Sequence, residues 1–245
     1  MKLTMIKAGC LSFALCALAA APASAQMAWT DRAFANVNFG LQEQSRTIET
    51  DSIFSLYGED GSLNTTQPID GGALFDLGGG YKVWKNLAVG LGYSRMVSDG
   101  DIAISAGVPD PNFFDHPRPL TGVSSGAEHS EHAIHLQGTW VWPVTDKIDV
   151  GFSFGPTIFM VSQDVATAIS VTEPAPTLAS TSLTREDHTT VGINLGVDFN
   201  YFFRPNIGAG LLTRYTSGSV DLDSVGESLT VGGFQLGFGL RYRFK

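Results

Sequence analysis

Cysteine is nearly missing from this chain. The 245 residues hold two, Cys10 and Cys16, and both fall in an N-terminal stretch that reads as a cleaved export signal. Lys2 and Lys7 form its basic start, 11–21 its apolar centre, and Ala23-Ser24-Ala25 its small-x-small cleavage site. The domain division expected is a signal peptide over 1–25 and one domain over 26–245. A mature chain without cysteine has no disulfide, no thiolate metal site and no thiol nucleophile. It also suits passage through an oxidising compartment. Basic residues are scarce as well. Without Lys2 and Lys7, 13 remain against 24 acids, a formal charge of −11, which argues against a nucleic-acid partner. Long apolar runs are absent too. After residue 26 nothing approaches the roughly 20 apolar residues of a membrane-spanning helix. With 28 glycines, a residue disfavoured in helix interiors, the chain points away from helices altogether.

Alternation is what the sequence has instead. In the final stretch Phe234, Leu236, Phe238, Leu240, Tyr242 and Phe244 share one strand face, and Gln235, Gly237, Gly239, Arg241 and Arg243 share the other. The same dyad pattern recurs upstream. Strands are expected near 33–46, 73–83, 87–97, around Ile134 to Trp142, from Ile148 to Met160, from Val191 to Phe203, from Ile207 to Tyr215, and over the last eleven residues. Segments of about ten residues with this alternation fit a tilted membrane strand.

The connections alternate in length. Tight turns are expected at Trp84-Lys85-Asn86, Thr145-Asp146-Lys147 and Arg204-Pro205-Asn206. Long polar loops are expected over 47–68, 98–127 and 163–182, with a shorter fourth loop near 217–228. The fold class expected is therefore all-β, an eight-stranded antiparallel up-and-down transmembrane β-barrel. An aromatic girdle of Tyr81, Trp84, Trp140, Trp142, Tyr201 and Phe203 marks the rim at the tight turns.

The non-aliphatic face carries Asp76, Lys82, Asp149, Asp198, Arg214, Arg241 and Arg243, among amides and many glycines. Polar inside and apolar outside makes sense where the outer solvent is lipid. A lipocalin-like soluble barrel has the same strand count with its apolar face inward. The mixed charges and glycines make that inner face a poor apolar pocket. The seven charged residues are expected to neutralise one another and plug the barrel.

On these features the chain resembles the small outer-membrane β-barrel family of Gram-negative bacteria, the OmpA/OmpX/OmpW-like set. The carriers are the export signal, the eight amphipathic strands and the stretch Gly237-Phe238-Gly239-Leu240-Arg241-Tyr242-Arg243-Phe244. The resemblance implies an outer-membrane location and contact with outer-membrane lipid and lipopolysaccharide. It also implies that Phe238, Leu240, Tyr242 and Phe244 serve as the assembly signal read by the barrel-assembly machinery. Lys245 departs from the pattern, since it follows the expected terminal aromatic.

Catalytic chemistry is thin. His129, Glu131 and His135 share a face, but the two histidines lie six residues apart, roughly 20 Å along a strand, so no metal site is expected. His129-Ser130-Glu131-His132 places neighbours on opposite faces. His188 and Glu186 with Thr184 or Thr190 form no compelling triad. Gly78-Gly79-Gly80 precedes no helix and reads as wall curvature, not a phosphate cradle. No cofactor and no catalytic residue are expected. The functional expectation is a structural or surface-interaction barrel. A narrow OmpW-like conduit for small or hydrophobic solutes is the alternative, and a lipopolysaccharide-modifying enzyme a remote one.

Overall fold

The computed structural model describes residues 28–221 and 228–245. The export-signal reading over 1–25 and the tip of the fourth loop lie outside the described residues. Among the described residues nine strands follow in chain order: β1 (Ala33–Leu56), β2 (Glu59–Trp84), β3 (Leu87–Val108), β4 (Arg118–Pro143), β5 (Ile148–Thr172), β6 (Thr177–Phe202), β7 (Ile207–Asp221), β8 (Ser228–Val231) and β9 (Phe234–Phe244). Each neighbouring pair from β1 to β7 is antiparallel. β9 then pairs with both β7 and β1 and closes a ring of eight. β8 pairs with β7 alone, and the pair Gly232-Gly233 separates it from β9. The expected eight-stranded up-and-down barrel is the observed fold.

The closing register runs from Ala33 opposite Phe244 to Glu43 opposite Phe234. The eleven residues of β9, tilted as barrel strands are, span roughly 25 Å, the height of a bilayer's apolar band. Over this height the wall is inverted relative to a soluble protein. Phe39, Leu41, Leu91, Phe154, Leu195, Phe238 and Leu240 are each more than 60% exposed on its outside, while Asn38, Gln42, Asp76, Asn194, Arg214 and Arg241 are buried inside.

The expectation of long loops over 47–68, 98–127 and 163–182 was wrong. Most of each segment continues as paired strand, and of 98–127 only 109–117 lies outside a strand. The β1–β2 ladder runs on to Leu56 opposite Glu59, β3–β4 to Val108 opposite Arg118, and β5–β6 to Thr172 opposite Thr177. Tyr57 and Gly58, with φ of 56° and 83°, make the two-residue turn that right-twisted hairpins favour. These extensions rise about 30 Å above the apolar band at ordinary strand rise.

In this turret the polarity of the wall reverses. Leu63, Ile102, Ile104, Val108 and Leu120 are buried inside it, with Phe54, Ile169, Val171 and Leu178 packed against them. Outward positions such as Glu49, Asp51, Asp99 and Asp101 are exposed. The lower barrel has the solvent logic of lipid and the turret that of water. One strand crosses from one regime to the other: β1 sends Asn38 and Gln42 inward below its bulge at Gln42/Ser45 and Ile48 inward above it.

The short β7–β8 hairpin seals the junction. Val220, Leu229 and Val231 pack with Ile48 and Ile69 from one wall and with Ala133, Phe159 and Val161 from the other. Gly232 permits the chain to turn back into the wall at φ 84°. A Cβ there would meet the Thr216 carbonyl oxygen at 2.6 Å, so a side chain at this position would clash with backbone and strain the turn together.

Candidate functional site

Below that hairpin, side chains inside the barrel are joined end to end. On the floor, Trp29 is buried against Phe34, Ala88 and Val141. The Lys82 ammonium donates to the Trp29 carbonyl at 2.6 Å and sits 5.6 Å over its ring. Arg243 pairs with Asp149, lies 3.4 Å from Asp31, and stacks 3.5 Å over the Phe202 ring. Asn200 donates to Asp149 at 2.8 Å and accepts from Arg241 at 2.6 Å.

Arg241 then carries the chain upward. It holds Asp198 at 2.5 Å and donates to Asn38 at 2.7 Å. Asn38 donates to Asp76 at 2.8 Å, and Asp76 receives Arg214 at 2.5 Å. Arg214 donates to Gln235 at 2.6 Å, Gln235 to Gln42 at 2.6 Å, and Gln42 to Glu131 at 2.8 Å. Glu131 accepts the Gly232 amide at 3.0 Å and contacts His129 at 3.1 Å. His129 in turn meets Gln163 at 2.7 Å. One hydrogen-bonded column therefore runs from floor to lid and ties β1, β2, β4, β5, β6, β7 and β9 across the lumen. An isolated ion in this setting would be costly. A carboxylate and guanidinium that keep their remaining donors and acceptors filled are the tolerable arrangement.

Of the seven charged residues, Asp76, Asp149, Arg214 and Arg241 are buried and Lys82, Asp198 and Arg243 are half-buried. Six form three pairs, Arg214 with Asp76, Arg241 with Asp198 and Arg243 with Asp149, and Lys82 binds backbone on the floor. The sequence reasoning missed Trp29, Asp31, Glu131 and Gln235 as members. Gln235 was readable by parity, since it shares a face with Arg241 and Arg243. Glu131 shares a face with His129 and His135, and its partner Gln42 lies on another strand.

Phe238, Leu240, Tyr242 and Phe244 all face outward. Tyr81, Trp84, Trp140, Tyr201 and Phe203 lie exposed at the tight-turn rim, and Trp142 is half-buried there. Lys85 lies 4.7 Å over Trp84.

The histidines do not converge. His135 is fully buried between the hydroxyls of Ser94 at 2.9 Å and Thr157 at 2.8 Å. His132 points outward to Tyr93 at 2.7 Å, and His188 meets Glu186 at 3.4 Å. Among the described residues no hydrogen-bonded serine–histidine–carboxylate line is present. Nor does any group of three or more metal-ligating side chains come together among them.

On the outside wall, at the top of the apolar band, lies a recess of about 680 Å³ lined by Leu41, Arg46, Asp70, Tyr215 and Phe234 with Gln42 at its back. Three irregularities meet here: the β1 bulge at Gln42/Ser45, the unpaired interval of β2 and β3 between Thr66 and Ala73, and the Gly232-Gly233 break.

At the far end the hairpin tips are fastened together. Arg118 grips Glu173 with both guanidinium arms, at 2.6 and 2.8 Å. It also donates to the Pro109 carbonyl at 3.0 Å and approaches Asp110 at 3.4 Å. The Tyr57 hydroxyl donates to Glu173 at 3.1 Å. The hydrogen bonds from Arg118 hold the Glu173 carboxyl below its ordinary range, and Glu173 raises Arg118 and Tyr57. A carboxylate with a lowered folded value contributes fully above its free pKa and loses that contribution as pH falls through the lowered one. The clasp is therefore expected to hold at neutral pH and to open only below the range where a free glutamate titrates, about 4.3. Amide resonances of Tyr57 and Gly58 followed against pH check this. A midpoint at the free-glutamate value, unchanged in Glu173→Gln, would show that no clasp forms.

No family model matches the sequence, and no curated protein matches it. Solved structures do. Neisserial surface protein A (NspA) is 14% identical with a TM-score of 0.46, over 86% of this chain and 97% of that one. The outer membrane protein OprG from Pseudomonas aeruginosa is 12% identical at 0.45, over 88% and 96%. The outer membrane protease OmpT from Escherichia coli is 12% identical at 0.41, over 89% and 98%. The first of these is named as a surface protein and the other two as outer membrane proteins.

Proposed function

We propose that this chain is an integral outer-membrane barrel whose lumen is closed and whose role is structural or one of surface interaction. The observation that carries this reading is the pairing of an outward aliphatic belt with a lumen column whose arginines are all occupied by carboxylates or amides. An eight-stranded barrel is just wide enough for side chains to fill it, which supports the closed lumen. The belt belongs in outer-membrane lipid. The turret, whose interior is apolar and whose exterior is charged, belongs in water beside lipopolysaccharide. The terminal outward alternation of Phe238, Leu240, Tyr242 and Phe244 is what the barrel-assembly machinery would read during insertion, and Lys245 adds nothing to that alternation.

The refolded chain is expected to need detergent, to migrate differently on gels before and after boiling, and to give no large steady conductance in a planar bilayer. Full solubility without detergent would sink the membrane placement. A large steady conductance would sink the closed lumen and leave the membrane placement intact.

The recess beside Gln42 favours a second reading, a lateral entry for small apolar solutes. Its floor is closed by the bonds from Gln42 to Glu131 and Gln235. Widening it by Gln42→Ala and measuring solute uptake into vesicles separates the two. Uptake by the wild type supports the conduit, and uptake by neither form supports closure.

A further inference from the structure

The turret accounts for the whole net charge of residues 26–245. Segments 46–70, 98–128 and 163–187 hold fourteen acids against three arginines. None of those arginines is free to answer an outside anion. Arg118 is spent on Glu173 and Asp110, Arg185 on Glu128 and Asp164, and Arg46 donates to the Gly232 carbonyl. Charge alone would describe only a solvated face. A second feature sits on its summit. The segment between β3 and β4 exposes two consecutive aromatics, Phe113 at 66% and Phe114 at 77%.

These rings are presented by a fixed support. Asp110 accepts the amides of Asn112 at 2.8 Å and Phe113 at 3.3 Å. The Asp115 amide donates to Glu59 at 3.0 Å, and Arg118 holds the Pro109 carbonyl. Between this segment and the β1–β2 turn runs a groove of about 450 Å³, lined by Glu59, Asp60, Phe114, Asp115 and His116 between Pro109 and Pro117. Two large apolar side chains held in water beside a carboxylate-walled groove are costly to leave uncovered, and such a patch marks an interaction site.

From this juxtaposition we infer that the tip is a docking surface for a cationic amphipathic polypeptide. An apolar side chain of the partner would cover Phe113 and Phe114, and its lysines or arginines would reach Glu59, Asp60 and Asp115. Charge decides the occupant. A polyanion would meet a field of its own sign, and a second copy of this chain would bring an equally acidic tip. Aromatic anchors ringed by complementary charge are where binding energy concentrates, and the rings also attract a cation to their faces.

The inference rests on the reading that the turret projects from the bilayer into water. The test keeps the two apart. The protein is placed in nanodiscs of zwitterionic lipid, with incorporation and heat-dependent gel mobility recorded first. A fluorescent peptide of alternating lysine and leucine is then titrated against loaded and empty nanodiscs, with a glutamate–leucine peptide and heparin as the other probes. Saturable binding of the lysine peptide to loaded nanodiscs alone is expected. Phe113→Ser with Phe114→Ser should weaken it by at least about tenfold, the loss of an anchor contact. Asp60→Asn with Asp115→Asn should weaken it several-fold and flatten its salt dependence. Neutralising Asp99 and Asp101, outward on the turret wall away from the groove, should leave it within about twofold. These positions are exposed, so unchanged heat-dependent mobility certifies the fold of each variant. Absence of binding by properly incorporated protein would overturn the docking site and spare the membrane reading. Equal weakening by the Asp99 and Asp101 changes, indifference to the phenylalanines, or tighter capture of heparin would overturn it as well.

Discussion

Arg214→Met is expected to be among the most damaging single substitutions in the barrel. Arg214 and Asp76 are both about 3% exposed and 2.5 Å apart. Removing the guanidinium leaves the Asp76 carboxyl without its cation and with Asn38 as its remaining partner, and it also takes the donor from the Gln235 side-chain oxygen. Breaking one side of a buried pair typically costs about 3–5 kcal/mol. Asp76→Leu alone should cost a similar amount, because Arg214 then stands uncompensated. The double variant, with both charges gone and the volume roughly kept, should recover most of the loss. Urea unfolding of the refolded protein in lipid vesicles reads all three. Costs that simply add, with no recovery in the double variant, would show that the two groups do not depend on each other. The same logic applies to Asp198→Ala, which strands Arg241, and a compensating change at Arg241 should restore part of the loss.

Phe159→Ala carries the second large expected effect, through packing instead of charge. Phe159 is 1% exposed and lies in the apolar layer that joins the β7–β8 hairpin to the walls. Its ring also contacts the place where a Gly218 Cβ would stand, at 3.0 Å. Truncating a buried phenylalanine costs about 3–5 kcal/mol when the cavity cannot collapse, and rigid walls on both sides oppose collapse. Hydrogen exchange should then rise first in β7–β8 and at the Gly232 amide, which Glu131 holds from below. Phe238→Ala, on the lipid side of the same barrel, should destabilise less and leave exchange in that hairpin unchanged. Equal effects from the two changes would mean that the hairpin is not docked as a lid.

Most of the lower barrel was legible in the sequence because two-residue periodicity and the contrast between faces are both strong there. β9 is the clearest case, with six apolar residues on one side and two arginines on the other. The inward placement of Asp76, Asp149, Asp198, Arg214, Arg241 and Arg243 follows from parity alone. Which acid meets which arginine does not, since that depends on rotamers and on distances across the lumen that alternation leaves open.

The turret was misread because its signal is weaker and of opposite sign. In 47–68 the inward set above the bulge includes Ile48, Thr50, Phe54 and Leu56, while Thr47, Glu49 and Asp51 face out. The alternation is present, but threonine and serine dilute its apolar half, and the outward aliphatic stripe stops there. Threonine is nonetheless a good strand former. The Tyr57-Gly58 turn was available as a hairpin signal between two alternating runs. Trp29 was missed for another reason: it precedes the first strand and belongs to no periodic pattern, so only the folded floor reveals what it covers.

The central claim is that a single wall faces lipid below and water above, around a lumen closed to both. Residues 26–245 contain no cysteine, so single cysteines placed in protein produced from residue 26 onward report position without background. Labelling by an aqueous maleimide and quenching of a cysteine-bound fluorophore by lipid-borne bromine should be compared at Leu195→Cys and Phe238→Cys on the belt, Val123→Cys and Leu183→Cys on the turret, and Thr157→Cys in the lumen. The account predicts lipid access only at Leu195 and Phe238, aqueous access only at Val123 and Leu183, and neither at Thr157 until the barrel is unfolded. Rapid aqueous labelling at Thr157 in the folded protein, or at Phe238 in the bilayer, would contradict it.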